Sequence, residues 1–218
     1  MPPEAVVFDL FGTLVDDDPP GAHARPPGRD RRCARSRPGA LPPGLGGRRR
    51  RPLHRADRGV VRADLRRARR RRLRAALALR LERLRALLVP RPDAVETLRA
   101  LRDRGLRLGM LSNASSEIPG IWAESELAPL FDAALFSAEE RMMKPDPRFY
   151  GRMAALLGVE PASCLFVGDG AYRELQGAEA VGMNAVLIRA PHDEWEHEGT
   201  IGWQGRRIGA LSEVLALV

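Results

Sequence analysis

The stretch that most constrains the fold of this chain is Val6 to Leu14, VVFDLFGTL. Val6, Val7 and Phe8 are apolar with no 3.6-residue spacing, and Asp9 with a turn through Gly12 and Thr13 closes the run. Such a run reads as a strand buried on both faces of a parallel sheet. Its last polar residue, Asp9, then stands at the C-terminal edge, where open α/β sheets bind ligands.

The rest of the chain supports a sheet of that kind. Leu73, Leu77, Leu81, Leu84 and Leu88 recur at helical spacing and predict a helix over Leu73–Val89, ended by Pro90 and Pro92. A second helix is expected over Pro92–Arg104, with Val95, Leu98 and Leu101 inward and Gly105 closing it. Strands are expected at Leu106–Leu111, Ala133–Phe136, Cys164–Val167 and Ala185–Ile188. Helices are expected around Glu117–Leu127, over Pro147–Leu157 with Gly158 after it, and over Tyr172–Val181 with Gly182 after it. An amphipathic C-terminal helix presents Leu211, Val214, Leu215 and Val218. Five strands alternating with helices imply an α/β fold, a Rossmann-like doubly wound parallel sheet.

Charge divides the chain unevenly. The net charge is +8, yet Ala22 to Arg74 holds 20 Arg against Asp30, Asp57 and Asp64 and no aromatic residue. The remainder is therefore acidic. Pro and Gly recur there without period, so this segment is not expected to build a packed core. The expected organisation is a core of residues 1–16 plus 90–218 and an inserted region at 17–89, of which about 24–74 is anomalous. Two origins fit that composition: a GC-rich gene read out of frame, or a disordered basic arm that binds nucleic acid. The segment has no interleaved aromatics, so no nucleic-acid partner is expected. All but one of the 36 basic residues are Arg, the exception being Lys144. Cys33 and Cys164 provide no disulfide framework, which suggests a reducing compartment. Glu4 and Asp9 break any leader-like pattern and no apolar run reaches membrane-spanning length, so a cytoplasmic protein with no membrane partner is expected.

Three expected strands end in polar residues: Asp9, Ser112 with Asn113, and Asp169. With Lys144 they form a cradle for a small anionic substrate, because phosphoryl transfer spreads charge over peripheral oxygens that fixed donors and cations must stabilise. Asp9 would attack as nucleophile, Ser112 and Asn113 would donate hydrogen bonds, and Lys144 would neutralise charge. Asp169 and Glu174 would hold a hard cation such as Mg²⁺.

The ordered set DLFGTL, LSNAS, MKPDP and VGDGAYRELQGAEAVGM resembles the four motifs of the haloacid dehalogenase superfamily, in the branch with a cap inserted after the first motif. The resemblance implies Asp9 as nucleophile, Ser112 as the hydroxyl of the second motif, Lys144 as the lysine of the third, and Asp169 and Glu174 as the acids of the fourth. It also implies a metal contact from the Phe11 backbone carbonyl, with Phe11, Gly12 and Thr13 around the leaving group. One departure matters. Family phosphatases carry a second Asp two residues after the nucleophile as general acid, and this chain has Phe11 there. The dehalogenases of the family also lack that Asp but need no metal, whereas Asp169 and Glu174 stand where the metal-dependent members keep their acids. The expectation is a Mg²⁺-dependent phosphate-ester hydrolase for substrates with good leaving groups. The rivals are a metal-free 2-haloacid dehalogenase and a catalytically impaired fold whose basic arm binds nucleic acid.

Structural roles compete for several of these residues. Ser112 and Asn113 suit helix capping, and Glu174 suits the first turn of a helix. His192 and His197, in HDEWEHE, are expected in a solvated loop. Trp122, Trp195 and Trp203 are expected to pack, and Cys164 to be a buried strand residue.

Overall fold

The computed structural model describes residues 2–16, 55–193 and 196–218. The elements run β1 (Ala5–Phe8), α1 (Arg55–Leu87), α2 (Ala94–Asp103), β2 (Arg107–Ser112), α3 (Ile118–Trp122), β3 (Ala133–Phe136), α4 (Ser137–Glu140), α5 (Pro147–Leu157), β4 (Cys164–Gly168), α6 (Glu174–Ala180), β5 (Asn184–Ile188) and β6 (Arg206–Ile208). The strands form one sheet in the order β3-β2-β1-β4-β5-β6, with every pair parallel.

β1 lies between β2 and β4, with Phe8 paired to Met110 on one side and Val167 on the other. That central place explains why all four of its residues are buried and why it shows no polar alternation. Val6, Phe8 and Leu10 face a core shared with Leu98, Leu101, Trp122 and Val214. Ala5 and Val7 face the opposite core, with Phe149, Tyr150, Met153 and Leu175. The chain builds outward from β1 to β3, then crosses back to place β4 on the other side of β1. The strand order thus reverses between β1 and β4, and the crevice beyond their C-terminal ends is where such sheets take ligands.

The five expected strands are present, with shifts of one residue at some ends, and β6 is a sixth. Two of its three residues are exposed arginines and the third, Ile208, is buried in the core, so it lacks the apolar run that marked the others. α5 follows its expected bounds: Asp146 accepts a hydrogen bond from the Arg148 amide at 3.0 Å, and Gly158 closes the helix at φ 69°, the left-handed conformation suited to glycine.

Four helices differ from expectation. α1 begins at Arg55, 18 residues before Leu73; arginine and alanine favour helix without needing an apolar stripe. Of the expected stripe, Leu88 is buried, and Leu81 and Leu84 pack against the core. Leu73 and Leu77 are 68% and 47% exposed. α3 stops at Trp122 rather than Leu127, because the Ser125 hydroxyl accepts from the Ala128 amide at 3.3 Å and competes with helix continuation. α6 starts at Glu174, after Tyr172 and Arg173 at φ 54° and 57°. The C-terminal segment Leu211–Ala216 is a 3₁₀ helix, whose three-residue period buries Leu211 and Val214.

Trp122, Trp203 and Cys164 are buried. Trp195, Cys33 and the anomalous stretch before Arg55 lie outside the described residues. The chain divides into two units, residues 1–19 with 81–218, and residues 20–80. The described part of the second is the portion of α1 from Arg55 to Arg80. No helix among the described residues is long and apolar enough to cross a membrane.

Candidate active site

Asp9 directly follows β1, and its amide donates to the Val167 carbonyl at 2.9 Å, so the sheet itself fixes its place. Lys144, in the loop before α5, is 2% exposed. Its ammonium donates to Asp9 Oδ1 and to Glu174 Oε2 at 2.5 Å, and lies 5.9 Å above the centre of the Phe166 ring. The loop that carries it is clamped by Asn113. Asn113 Oδ1 accepts from the Lys144 amide at 2.8 Å, and Asn113 Nδ2 donates to the Lys144 carbonyl at 3.1 Å. The Asn113 side chain thus holds the lysine loop through Oδ1 and one Nδ2 hydrogen, a role beside the expected hydrogen bond to substrate, for which its second N–H remains.

Glu174 opens α6 and is fully buried, unlike an ordinary first-turn acid. Gly170 N donates to its Oε1 at 2.9 Å, so both carboxylate oxygens are engaged. Asp169 Oδ1 accepts from the Ala171 amide at 2.9 Å. Its other oxygen faces the nucleophile loop: a Cβ on Gly12 would stand 2.3 Å from Asp169 Oδ2. Gly12 also sits at φ +70°, so glycine is required there twice over.

Carboxylate oxygens of Asp9, Asp169 and Glu174 lie within 4.8 Å of one another, and the ion pairs among them involve one ammonium, that of Lys144. Burial, and then the Glu174 charge, push the Asp9 carboxyl from 3.8 up to about 7, although Lys144 pulls the other way. Burial likewise raises Glu174 against the pull of Lys144. Burial would lower Lys144, but the two carboxylates raise it more, so it stays charged. An all-oxygen donor set with excess negative charge fits a hard divalent cation such as Mg²⁺.

Phe11 is half-buried and packs against the core, so it brings no titratable group to the loop. Thr13 Oγ1 and Ser112 Oγ are buried without a hydrogen-bond partner among the described residues. Buried polar groups are ordinarily satisfied, which leaves these two hydroxyls available to a ligand.

The two histidines separate. His192 is exposed and pairs with Asp16 at 3.3 Å, beside the buried Arg91, which contacts Asp16 at 2.9 Å and Asp193 at 2.8 Å. His197 departs from the expected solvated loop, because its Nε2 lies 2.8 Å from Asp169 Oδ2. The segment after it is seated on the β4–α6 turn. Gln176 Nε2 donates to the Gly199 carbonyl at 2.7 Å, and Thr200 is 2% exposed. Local spacing gave no sign of this docking.

A buried carboxylate paired with a lysine stands at the point where this parallel sheet reverses its strand order, the place where open α/β sheets take their ligands. The chain belongs to the haloacid dehalogenase-like hydrolases, whose family model matches residues 3–182. It is 39% identical over 98 residues to haloacid dehalogenase-like hydrolase domain-containing protein 3 of Homo sapiens, covering 45% of this chain and 39% of that one. It is 34% identical over 128 residues to (S)-2-haloacid dehalogenase 4A of Burkholderia cepacia, covering 58% and 54%. The chain thus spans about half or less of the length of these relatives. Among solved structures it is similar to a HAD phosphatase from Thermococcus onnurineus, with a TM-score of 0.53, 29% identity and coverage of 62% and 61%. Similar proteins include both phosphatases and 2-haloacid dehalogenases.

Proposed function

We propose that this hydrolase cleaves a phosphate ester of a small molecule with a good leaving group, with Mg²⁺ as cofactor and residues 17–89 as its inserted cap. The observation that carries the reading is the charge balance of the site: three carboxylates within 4.8 Å of one another, paired among the described residues with one ammonium, that of Lys144. Asp9, Asp169 and the Phe11 backbone carbonyl would hold the ion. Glu174, whose Oε2 accepts from Lys144, orients that lysine and would complete the donor set for the ion through the lone pairs its carboxylate keeps. Bound there, the ion neutralises charge on the phosphoryl oxygens.

Asp9 attacks phosphorus, the bond to the leaving oxygen breaks, and water then hydrolyses the aspartyl phosphate. Lys144 holds the attacking carboxylate in place and stabilises charge as it moves to the phosphoryl oxygens. Ser112 and Thr13 offer their hydroxyls to the same group, and Asn113 keeps the lysine loop in register. Phe11 offers no proton to the leaving oxygen. A leaving group of low pKa needs none, which is why aryl or acyl phosphates suit this site better than alkyl phosphates.

A second reading, a metal-free 2-haloacid dehalogenase, is favoured by Phe11, since a departing halide takes no proton, and by the similarity to (S)-2-haloacid dehalogenase 4A. One experiment separates the two: the purified protein is assayed with an activated aryl phosphate and with a 2-haloacid, each with Mg²⁺ and with EDTA. Mg²⁺-dependent phosphate release that Asp9→Asn abolishes is expected. Halide release in EDTA without phosphate release would overturn the phosphatase reading, and a folded protein with neither activity would point to an impaired fold.

A further inference from the structure

We propose that His197 is a positioning residue for Asp169, its Nε2 set against Oδ2 as an ion-pair partner and so fixing the carboxylate oxygen that faces the loop after Asp9. This rests on the metal-dependent reading above and extends it to a residue outside the four motifs.

The first ground is which oxygen His197 meets. Asp169 Oδ2, 2.8 Å from His197 Nε2, is the same oxygen that a Cβ on Gly12 would approach to 2.3 Å. Oδ1 is turned away to the Ala171 amide. Each carboxylate oxygen has two lone pairs. The Nε2 approach at 2.8 Å occupies one side of Oδ2, while the Asp169 carboxylate stays within 4.8 Å of those of Asp9 and Glu174. Asp169 is thereby held in one orientation before any cation arrives.

The second ground is that His197 is held in place by its neighbours. Its carbonyl accepts from Thr200 Oγ1 at 2.8 Å and from Thr200 N at 2.9 Å, and Thr200 is buried. Gly199 lies so close to the β4–α6 turn that a Cβ there would stand 2.4 Å from the Gly170 carbonyl oxygen, and its own carbonyl accepts from Gln176 of α6. The segment 197–200 is thus seated on the turn that bears Asp169. Groups that hydrogen-bond to a ligating side chain set its orientation, and their loss costs about 10- to 100-fold in metal affinity.

The test is isothermal titration of metal-free protein with MgCl₂, using wild type, His197→Ala, His197→Gln and Asp169→Asn, with thermal melts in EDTA alongside. Gln is chosen because its amide nitrogen reaches about as far as Nε2. His197→Ala is expected to weaken Mg²⁺ binding about 10- to 100-fold while its melt in EDTA stays near wild type. His197→Gln is expected to restore most of the affinity, and Asp169→Asn to abolish binding. An Ala variant that binds within twofold of wild type overturns the inference and leaves the metal-dependent reading standing. A Gln variant as weak as Ala overturns it too, because the imidazole itself would then be the required group. A wild-type protein that binds no Mg²⁺, or an Asp169→Asn variant that binds normally, overturns both.

Discussion

Asp9→Asn should abolish activity and yet make the metal-free protein more stable. Burial and the neighbouring Glu174 raise the Asp9 carboxyl from 3.8 to about 7, so the folded state disfavours the ionised form that the unfolded chain adopts freely. The sign follows from linkage: for an acid whose folded pKa is raised, the folded protein is most stable below the unfolded value and loses stability as pH climbs from 3.8 towards 7. At about 1.36 kcal/mol per pH unit, the loss at pH 8 is on the order of 4 kcal/mol. Asparagine keeps the acceptor that Lys144 uses and has no charge to bury. Lys144 then serves Glu174 alone, which works in the same direction.

The assay is thermal unfolding of wild type and Asp9→Asn in EDTA at pH 8 and pH 5. With roughly 2–4 °C per kcal/mol for a protein of this size, the variant should melt about 8–16 °C higher at pH 8. At pH 5 folded Asp9 is largely protonated already, so the gap should shrink to less than half. Saturating Mg²⁺ should raise the wild-type melting temperature more than the variant's, since the ion binds the native carboxylates. Equal melting temperatures at pH 8, or a gap that does not narrow at pH 5, would refute the argument that burying Asp9 with Glu174 costs stability.

Three further substitutions test other parts of the site. Phe11→Asp supplies the missing acid and should raise kcat/KM for an alkyl phosphate by about 10² to 10⁴, with a smaller change for an aryl phosphate; no gain in a folded, Mg²⁺-binding variant counts against the metal-dependent reading. Gly12→Ala combines a φ of +70° with a Cβ 2.3 Å from Asp169 Oδ2, so it should lower both Mg²⁺ affinity by titration and turnover by at least tenfold. Asn113→Ala removes two hydrogen bonds to the Lys144 main chain, each worth about 1 kcal/mol; denaturant unfolding should show a loss of roughly 2 kcal/mol, with kcat falling more than KM rises.

What the sequence disclosed depended on whether the physical cause was local. β1 was legible because a strand covered on both faces must be apolar throughout, and Asp9 because it ends that run. Lys144 stood out as the one lysine among arginines, and Asp169 as the acid closing another apolar strand. β6 was not legible, since a three-residue edge strand with two exposed arginines leaves no pattern. The start of α1 at Arg55 was missed for a related reason, because helix propensity without an amphipathic stripe has no period to read. The hold of Asn113 on the lysine loop is not legible, since a sequence position gives the type of side chain but not its partner, and Lys144 lies 31 residues away. His197 was missed because nothing within its own segment places it. Its position follows from the fit of Gly199 against Gly170, a tertiary contact whose one trace in the sequence is a glycine two residues after a histidine.

The charge balance of the site also bears on which substrate it accepts. A phosphate monoester and a 2-haloacid are both anions, and each must approach Asp9, Asp169 and Glu174, whose ion pairs include the single ammonium of Lys144. Lys144 is already shared between two of these carboxylates, so it has little attraction left for an incoming anion. In a buried site that repulsion is poorly screened. A divalent cation held beside Asp169 would cancel the excess negative charge of the three carboxylates and so remove the repulsion of a phosphate. A metal-free dehalogenation has to obtain the same attraction from guanidinium or amide groups elsewhere in the chain. The two readings therefore differ in ionic dependence as well as in product: the KM for an aryl phosphate should fall steeply as Mg²⁺ is raised to saturation, whereas the KM for a 2-haloacid should not respond to it. Measuring KM for both substrates across a Mg²⁺ series tests that difference, and a phosphate KM that ignores Mg²⁺ in a protein that hydrolyses the ester would show that the carboxylate cluster is neutralised in some other way.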